Sequence, residues 1–314
     1  MPQKYRLVTR SDFDGLVCAL LFKELDMLDE ISFVHPKDMQ DGKIEITDRD
    51  ITTNLPYVSG CYLAFDHHSS ESERAGNAPA DNHIIDDKAE SAARVVYNYY
   101  GGAKELPQIN TDMMYAVDRC DAAQFTENDI HKPQGWILLN FLMDPRTGLG
   151  RFRDFDVSNY ELMMKLIGHC RTKSIAQILE LPDVQQRADL YYDQVAKAIS
   201  QINHRSTVHD NLVVIDLRKA ETIYATNRFM VYALFPDCNV SMHVLWGLKK
   251  KNTVFAMGKS ILNRSCTVDI GALGLKYGGG GHANAGTCQI AHDRADQVCG
   301  ELIEQLTIKA PAVC

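Results

Sequence analysis

Cys61-Tyr62-Leu63-Ala64-Phe65-Asp66-His67-His68 is an apolar run that stops on one acid and two adjacent histidines. The run reads as a short strand, and a carboxylate beside two imidazoles at its end is costly to bury unless a cation compensates it. Neighbouring side chains on a strand point to opposite faces. Both histidines can therefore serve one site only if the backbone turns there or if they divide the work. For this stretch alone, two solvated histidines at a strand end are the simpler reading.

The residues upstream change that balance. Tyr5–Thr9 reads as a strand and Gly15–Leu28 has helical spacing, with Arg10-Ser11-Asp12-Phe13-Asp14-Gly15 at the junction. An N-cap role accounts for one of the two acids but not for both. Ile31–Val34 reads as a second strand, and the alternating Lys43–Thr47 as a third that stops at Asp48-Arg49-Asp50. Strand-like runs thus end at Asp12/Asp14, at Asp48 and at Asp66/His67/His68. In a parallel sheet with helical crossovers the carboxyl ends of the strands line one crevice, where open α/β sheets place their ligands. Acidic strand ends gathered there point to a metal cluster. Carboxylate and imidazole ligands without thiolate suit Mn²⁺ or Mg²⁺, with Co²⁺ or Zn²⁺ as further candidates.

Downstream, a helix is expected from about Glu90 to Tyr100, ending before Gly101-Gly102. In Tyr115–Phe125, Asp118 and Asp121 share a helix face, and either is a candidate further ligand. Trp136 to about Ser200 is mostly helical, and its basic patch Arg146–Arg153 could meet phosphates, though a surface loop with ordinary charges is the preferred reading. Beyond His204 the composition shifts to strand-like runs at Leu212–Ile215, Val240–Leu245 and Thr253–Met257. The fold expected is α/β: an N-terminal doubly wound, mainly parallel sheet with a helical extension, and a smaller C-terminal α/β domain, with the active site in the cleft between them. The boundaries expected are 1–195 for the metal-binding catalytic domain, 196–208 for a linker and 209–314 for a substrate-binding domain.

The last segment carries Asn263-Arg264-Ser265 and then Tyr277-Gly278-Gly279-Gly280-Gly281-His282. Four consecutive glycines cost backbone entropy and offer no side chain to pack. They make sense where main chain approaches a ligand closely and turns its N–H groups toward an anion. His282 can donate to a phosphate and Arg264 can grip one with its planar fork.

Composition sets outer limits. Of the 314 residues, 45% are hydrophobic and 24% charged, the usage of a globular chain long enough for two domains. There is no long apolar run and no apolar core near Met1, so no membrane partner is expected and a cytoplasmic location is. Nine scattered cysteines without a Cys-x-x-Cys pair fit free thiols better than a disulfide framework. A net charge of −8 argues against long duplex nucleic acid but not against a short anion.

Asp12-x-Asp14-Gly15, Asp48, Asp66-His67-His68, an Asp at 118–121 and Gly278-Gly279-Gly280-Gly281-His282, in that order, resemble the DHH superfamily of phosphoesterases. The resemblance is to members with a DHH domain followed by a DHH-associated C-terminal domain, such as oligoribonucleases and exopolyphosphatases, and it spans both ends of the chain. It implies a two-metal cluster, usually Mn²⁺, with Asp12 on one ion, Asp14 on the other and Asp48 bridging. His67 would complete the second ion with Asp121, or failing that Asp118; Asp121 is preferred because relatives place an aromatic four residues on, as Phe125 is here. Asp66, His67 and His68 would be the catalytic residues, Asp66 and His68 acting by orienting ligands and supporting the substrate phosphate. His68, Arg264, Ser265, Gly279, Gly280, Gly281 and His282 would bind substrate. There is one departure: many relatives have His where this chain has Arg10, and a protonated guanidinium cannot ligate a cation.

The function expected is a metal-dependent phosphoesterase for short oligoribonucleotides or linear dinucleotides, released as mononucleotides. An exopolyphosphatase or small phosphate-anhydride hydrolase is the alternative, since polyphosphate asks for the same metals. A non-catalytic nucleotide-binding relative, suggested by Arg10, ranks third. A homodimer is among the partners considered.

Overall fold

A computed structural model describes residues 3–68 and 80–307. The chain divides into two compact units, residues 1–124 with 133–190, and residues 125–132 with 191–314.

The first unit holds a five-stranded sheet in the order β2-β1-β3-β4-β5, built from β1 (Tyr5–Thr9), β2 (Leu28–Phe33), β3 (Asp50–Thr53), β4 (Leu63–Asp66) and β5 (His83–Ile85). Every pairing is parallel. After β1 the chain passes through helix α1 (Phe13–Glu24) to β2 on one side, then returns to β3 on the other. That reversal opens a crevice at the carboxyl ends of β1 and β3.

Helix α1 is buried without interruption from Phe13 to Phe22. A helix apolar on all sides belongs in the middle of a fold. Two further helices pack on it, α2 (Ala92–Tyr99) and α3 (Thr111–Asp121), as does the helix Asn159–Thr172. Gly15 makes the tight turn from strand to helix possible, because a Cβ there would stand 2.0 Å from the Arg10 carbonyl oxygen. The expected helix to Leu28 stops at Glu24, and Leu28 already begins β2.

The third strand is corrected. Lys43–Thr47 alternates, yet it pairs with no strand, and β3 is Asp50–Thr53. Ile44 and Ile46 pack against Val8, Met39 and Leu55, which explains the alternation without a ladder. Asp50 starts β3 and is 1% exposed; its carboxylate accepts from Arg6 Nε and Nη2 at 2.7 and 2.9 Å and from Thr47 N at 2.7 Å. That buried pair fixes β3 beside β1.

In the second unit, β6 (Ser206–His209), β7 (Leu212–Asp216), β8 (Val240–Trp246), β9 (Thr253–Lys259), β10 (Gly280–His282) and β11 (Ala285–Ile290) form a mixed six-stranded sheet, order β10-β11-β9-β8-β7-β6. Its core joins Val240, Met242, Phe255 and Ile270 to Val298 and Leu302 of the last helix. Most of the segment expected as a linker, 196–208, lies in a continuous helix, Pro182–Arg205, which leads directly into β6. Residues 183–205 contain no glycine or proline to break it. No helix among the described residues is long and apolar enough to cross a membrane.

Candidate metal centre

Asp12 and Asp14 leave the end of β1 in different roles. Asp12 is the N-cap of α1, its Oδ1 accepting from Gly15 N at 3.0 Å, and its Oδ2 lies 3.1 Å from Arg10 Nε. Asp14 is 2% exposed and sits at the N-terminus of α2, accepting from Ala92 N at 3.2 Å and Ala93 N at 2.8 Å. Asn54 Nδ2 adds a third bond at 2.7 Å. Helix N-termini favour anions, but all these donors are neutral, so the carboxylate still wants a cation.

At the end of β4 the backbone turns and the two histidines divide the work. Asp66 is buried, and its Oδ1 accepts from His68 N at 2.7 Å and lies 2.8 Å from His68 Nδ1. His67 instead places Nδ1 3.3 Å from the Ala89 carbonyl, a bond that only an N–H can make, and directs Nε2 toward Asp14 and Asp121. Its Nε2 lies 2.8 Å from Asp121 Oδ2 but makes no directed hydrogen bond and is otherwise a buried polar atom without a partner. One ligand atom from each of Asp14, His67 and Asp121 falls within 4.8 Å of the others.

The electrostatics describe a group short of one positive charge. Burial, then repulsion from Asp121, pushes Asp14 up to about 7, with His67 pulling the other way. Burial opposes a charged His67 ring, but Asp121, Asp14 and Asp66 outweigh it and carry it up to about 9. Burial would raise Asp121, yet His67, Arg10 and His68 hold it below the ordinary carboxylate value. A divalent ion fits this set: two carboxylates, an imidazole whose other nitrogen is tied to a carbonyl, and an orphaned Nε2.

Asp118 and Asp121, one helical turn apart on α3, separate cleanly. Asp118 Oδ1 accepts from Ser91 Oγ at 2.8 Å, and its Oδ2 takes Arg94 Nε at 2.9 Å and Nη2 at 2.5 Å. It ties α3 to the start of α2 and is not in the group that Asp14, His67 and Asp121 form. Asp48 is not in that group either. It is exposed in the turn before β3, at the amino end of the strand, where the carboxyl-end crevice is out of reach.

Of two further residues in this region, one was not singled out from sequence and the other was weighed as a phosphate contact and set second. Asn54, with φ of 55°, follows the carboxyl end of β3, and its Oδ1 lies 3.4 Å from Arg10 Nη1. Placing the strand at Asp50–Thr53 would have found it. Arg146 is the other. It is held by buried Asp144, whose Oδ1 accepts from its backbone N at 2.9 Å and its Nε at 2.7 Å. Burial works against its charge, but Asp144 and then Asp12 and Asp121 hold its pKa above the ordinary value. Its guanidinium thus feels the same acids and its side chain is 46% exposed, an environment that suits the phosphate alternative weighed for this patch.

In the second unit the glycine run is largely an edge strand. Gly280, Gly281 and His282 pair antiparallel with Thr287, Gly286 and Ala285. A Cβ at Gly279 would stand 1.9 Å from Thr287 O, and one at Gly281 2.2 Å from Ala285 O, with φ there at 153°. Close backbone packing therefore requires these two glycines. At Gly280 a Cβ would meet nothing within 4 Å. Arg264 is exposed with Nε 3.2 Å from Ile261 O, and Ser265 Oγ donates to Asn263 Oδ1 at 2.7 Å.

No protein-family model matches the chain, and a search among curated proteins found no match. Among solved structures, the pGpG-specific phosphodiesterase PggH from Vibrio cholerae is 56% identical, with a TM-score of 0.86, covering 98% of this chain and 100% of that one. An exonuclease RecJ bound to manganese matches at 11% identity and a TM-score of 0.45, over 98% of this chain and 91% of that one. RecJ from Thermus thermophilus with Mn²⁺ matches at 12% and 0.42, over 98% and 52%. At those last two scores the likeness carries no argument.

Proposed function

Because the chain belongs to one family with the pGpG-specific phosphodiesterase PggH and its motifs resemble the DHH phosphoesterases, we propose that it hydrolyses the linear dinucleotide pGpG to two molecules of GMP. The observation that carries this reading is 56% identity over nearly the whole of both chains. Water adds across the internal phosphodiester, so that its phosphorus–O3′ bond breaks and each guanosine leaves with one 5′-phosphate.

Asp14, His67 and Asp121 would hold the divalent ion, which we take to be Mn²⁺. When bound, such an ion neutralises charge developing on the phosphate and favours attack by water. Ala89 O fixes the His67 ring through Nδ1 and leaves Nε2 as the nitrogen that would ligate. The α2 N-terminus and Asn54 hold the Asp14 carboxylate in place before substrate arrives. Arg146, clamped by Asp144, is the residue we assign to the terminal phosphate, because a guanidinium fork suits a phosphate and this one is exposed. His68, Arg264, Ser265, His282 and the backbone of Gly279, Gly280 and Gly281 remain assigned to substrate binding from the sequence motifs.

The test is hydrolysis of pGpG by purified protein with Mn²⁺, followed by chromatography, beside polyphosphate and longer RNA in parallel. GMP as the sole product, with little orthophosphate from polyphosphate, is the expected result. Orthophosphate release without GMP would point to the polyphosphate reading. Light scattering tests the homodimer and cell fractionation the cytoplasmic location.

A further inference from the structure

The resemblance places a second cation on Asp12, and both Asp12 and Asn54, the residue that follows β3, face Arg10. Arg10 Nε lies 3.1 Å from Asp12 Oδ2, and Nη1 lies 3.4 Å from Asn54 Oδ1. We propose that Arg10 holds the place of a second metal ion, so that the chain binds one divalent ion, at Asp14, His67 and Asp121, and supplies the other positive charge itself.

Residue 54 is matched to this arrangement. Its amide presents an acceptor to the guanidinium and a donor to Asp14 Oδ2 at 2.7 Å, so its orientation is set from both sides. A carboxylate in its place would satisfy Arg10 but would stand against the Asp14 carboxylate with nothing between them. That repulsion is tolerable only with an ion bridging the two acids. The amide removes both the repulsion and the bridge. Asp48, the acid that sequence offered for the bridge, is exposed at the other end of β3.

Asp12 and Asp14 differ in the same sense. The donors on Asp14 are backbone and side-chain amides, which carry no charge to repel an ion. Asp12 Oδ2 is already covered by a full positive charge. A guanidinium does not lose its proton in the physiological range, so it cannot yield to a metal as a histidine can. Burial still dominates at Asp12 and pushes its pKa up, with Arg10 the leading opposing influence.

Arg10 also has donors in reserve. Its Nε and Nη1 meet Asp12 and Asn54, and the side chain is 26% exposed, so the rest of the guanidinium can reach a ligand. Those N–H groups suit a non-bridging phosphate oxygen, a task normally shared by a second ion. This last task rests on the phosphodiesterase reading; the ion count does not.

The experiment therefore counts ions without substrate. The full chain is dialysed against MnCl₂, its metal content is measured by mass spectrometry, and the bound Mn²⁺ is examined by electron paramagnetic resonance. One ion per chain with the spectrum of an isolated Mn²⁺ is expected. Two ions, a spin-coupled pair, or no bound ion overturns the proposal. Arg10→His combined with Asn54→Asp should raise the count from one to two; a double variant that keeps the wild-type circular dichroism and still binds one ion also overturns it. If the double variant does not fold, the wild-type count and spectrum decide alone. A chain that binds one ion yet leaves pGpG intact would sink the substrate reading and leave this one standing.

Discussion

His67 Nε2 and Asp121 Oδ2 lie 2.8 Å apart, an ion pair when the imidazole is protonated and a pair of candidate ligand atoms beside Asp14 when it is not. Removing either should empty the ion site. We expect His67→Ala and Asp121→Asn to lower kcat/KM for pGpG by more than about 100-fold at saturating Mn²⁺, given that loss of groups merely supporting a ligand typically costs 10–100-fold. Calorimetric titration should show the Mn²⁺ isotherm gone in both. Retained tight binding in either variant would remove that residue from the ligand set.

Metal binding should release protons and tighten with pH. Without a metal, Asp14 titrates at about 7 and His67 at about 9, both above their ordinary values of 3.8 and 6.5. The folded state therefore holds more protons than the unfolded state from roughly pH 4 to pH 9, and metal-free stability falls as pH rises through that window. For His67, the stabilisation is fully present below 6.5 and lost through about 9. The ion replaces those protons, so the increase in Tm caused by saturating Mn²⁺ should grow from about pH 6 to about pH 9. A shift that stays constant across that range would contradict the assignment.

Asp118→Asn should separate structure from ligation. The Arg94 partnership ties α3 to α2, and breaking a buried ion pair typically costs about 3–5 kcal/mol. Arg94 is 27% exposed, so water recovers part of that loss and about 2–3 kcal/mol is expected by urea unfolding. The Mn²⁺ count should not change. Asp48→Asn, in an exposed turn, should change neither quantity.

Arg146→Ala should act mainly on substrate affinity. Losing a charge-assisted fork to a terminal phosphate should raise KM about 10–100-fold with a smaller effect on kcat. A dinucleotide lacking the 5′-phosphate should show little difference between wild type and variant. An equal penalty on both substrates would assign Arg146 to the scissile phosphate instead.

Much of the parallel sheet was legible because its strand ends carry the chemistry. Asp12, Asp14 and Asp66-His67-His68 mark the carboxyl ends of β1 and β4, and apolar runs mark β7, β8 and β9. The third strand was misplaced because Ile44 and Ile46 alternate for packing without a strand partner. That one slip hid Asn54 and promoted Asp48. Sequence spacing could not separate Asp118 from Asp121 beyond a preference, since the distinction depends on Arg94 and Ser91, which approach from another helix. For Arg146 the phosphate alternative was set second because its ion pair with Asp144 and the charge influence of Asp12 and Asp121 come from tertiary structure.

The glycine run yields the prediction that separates packing from binding within one short segment. Gly279→Ala forces a Cβ to within 1.9 Å of Thr287 O, and Gly281→Ala adds a left-handed φ of 153° to a 2.2 Å contact with Ala285 O. Each should cost at least about 2 kcal/mol, since neither the partner strand's backbone nor the edge strand can give way without breaking the β10–β11 pairing. Gly280→Ala meets nothing within 4 Å and needs no unusual φ, so it should leave Tm nearly unchanged. If the main chain here also approaches the anionic end of the substrate, the added methyl in Gly280→Ala should raise KM for pGpG several-fold while the protein stays as stable as wild type. Unchanged KM in that variant would mean that close packing of β10 against β11 explains the glycines by itself, and that the anion is held by side chains alone.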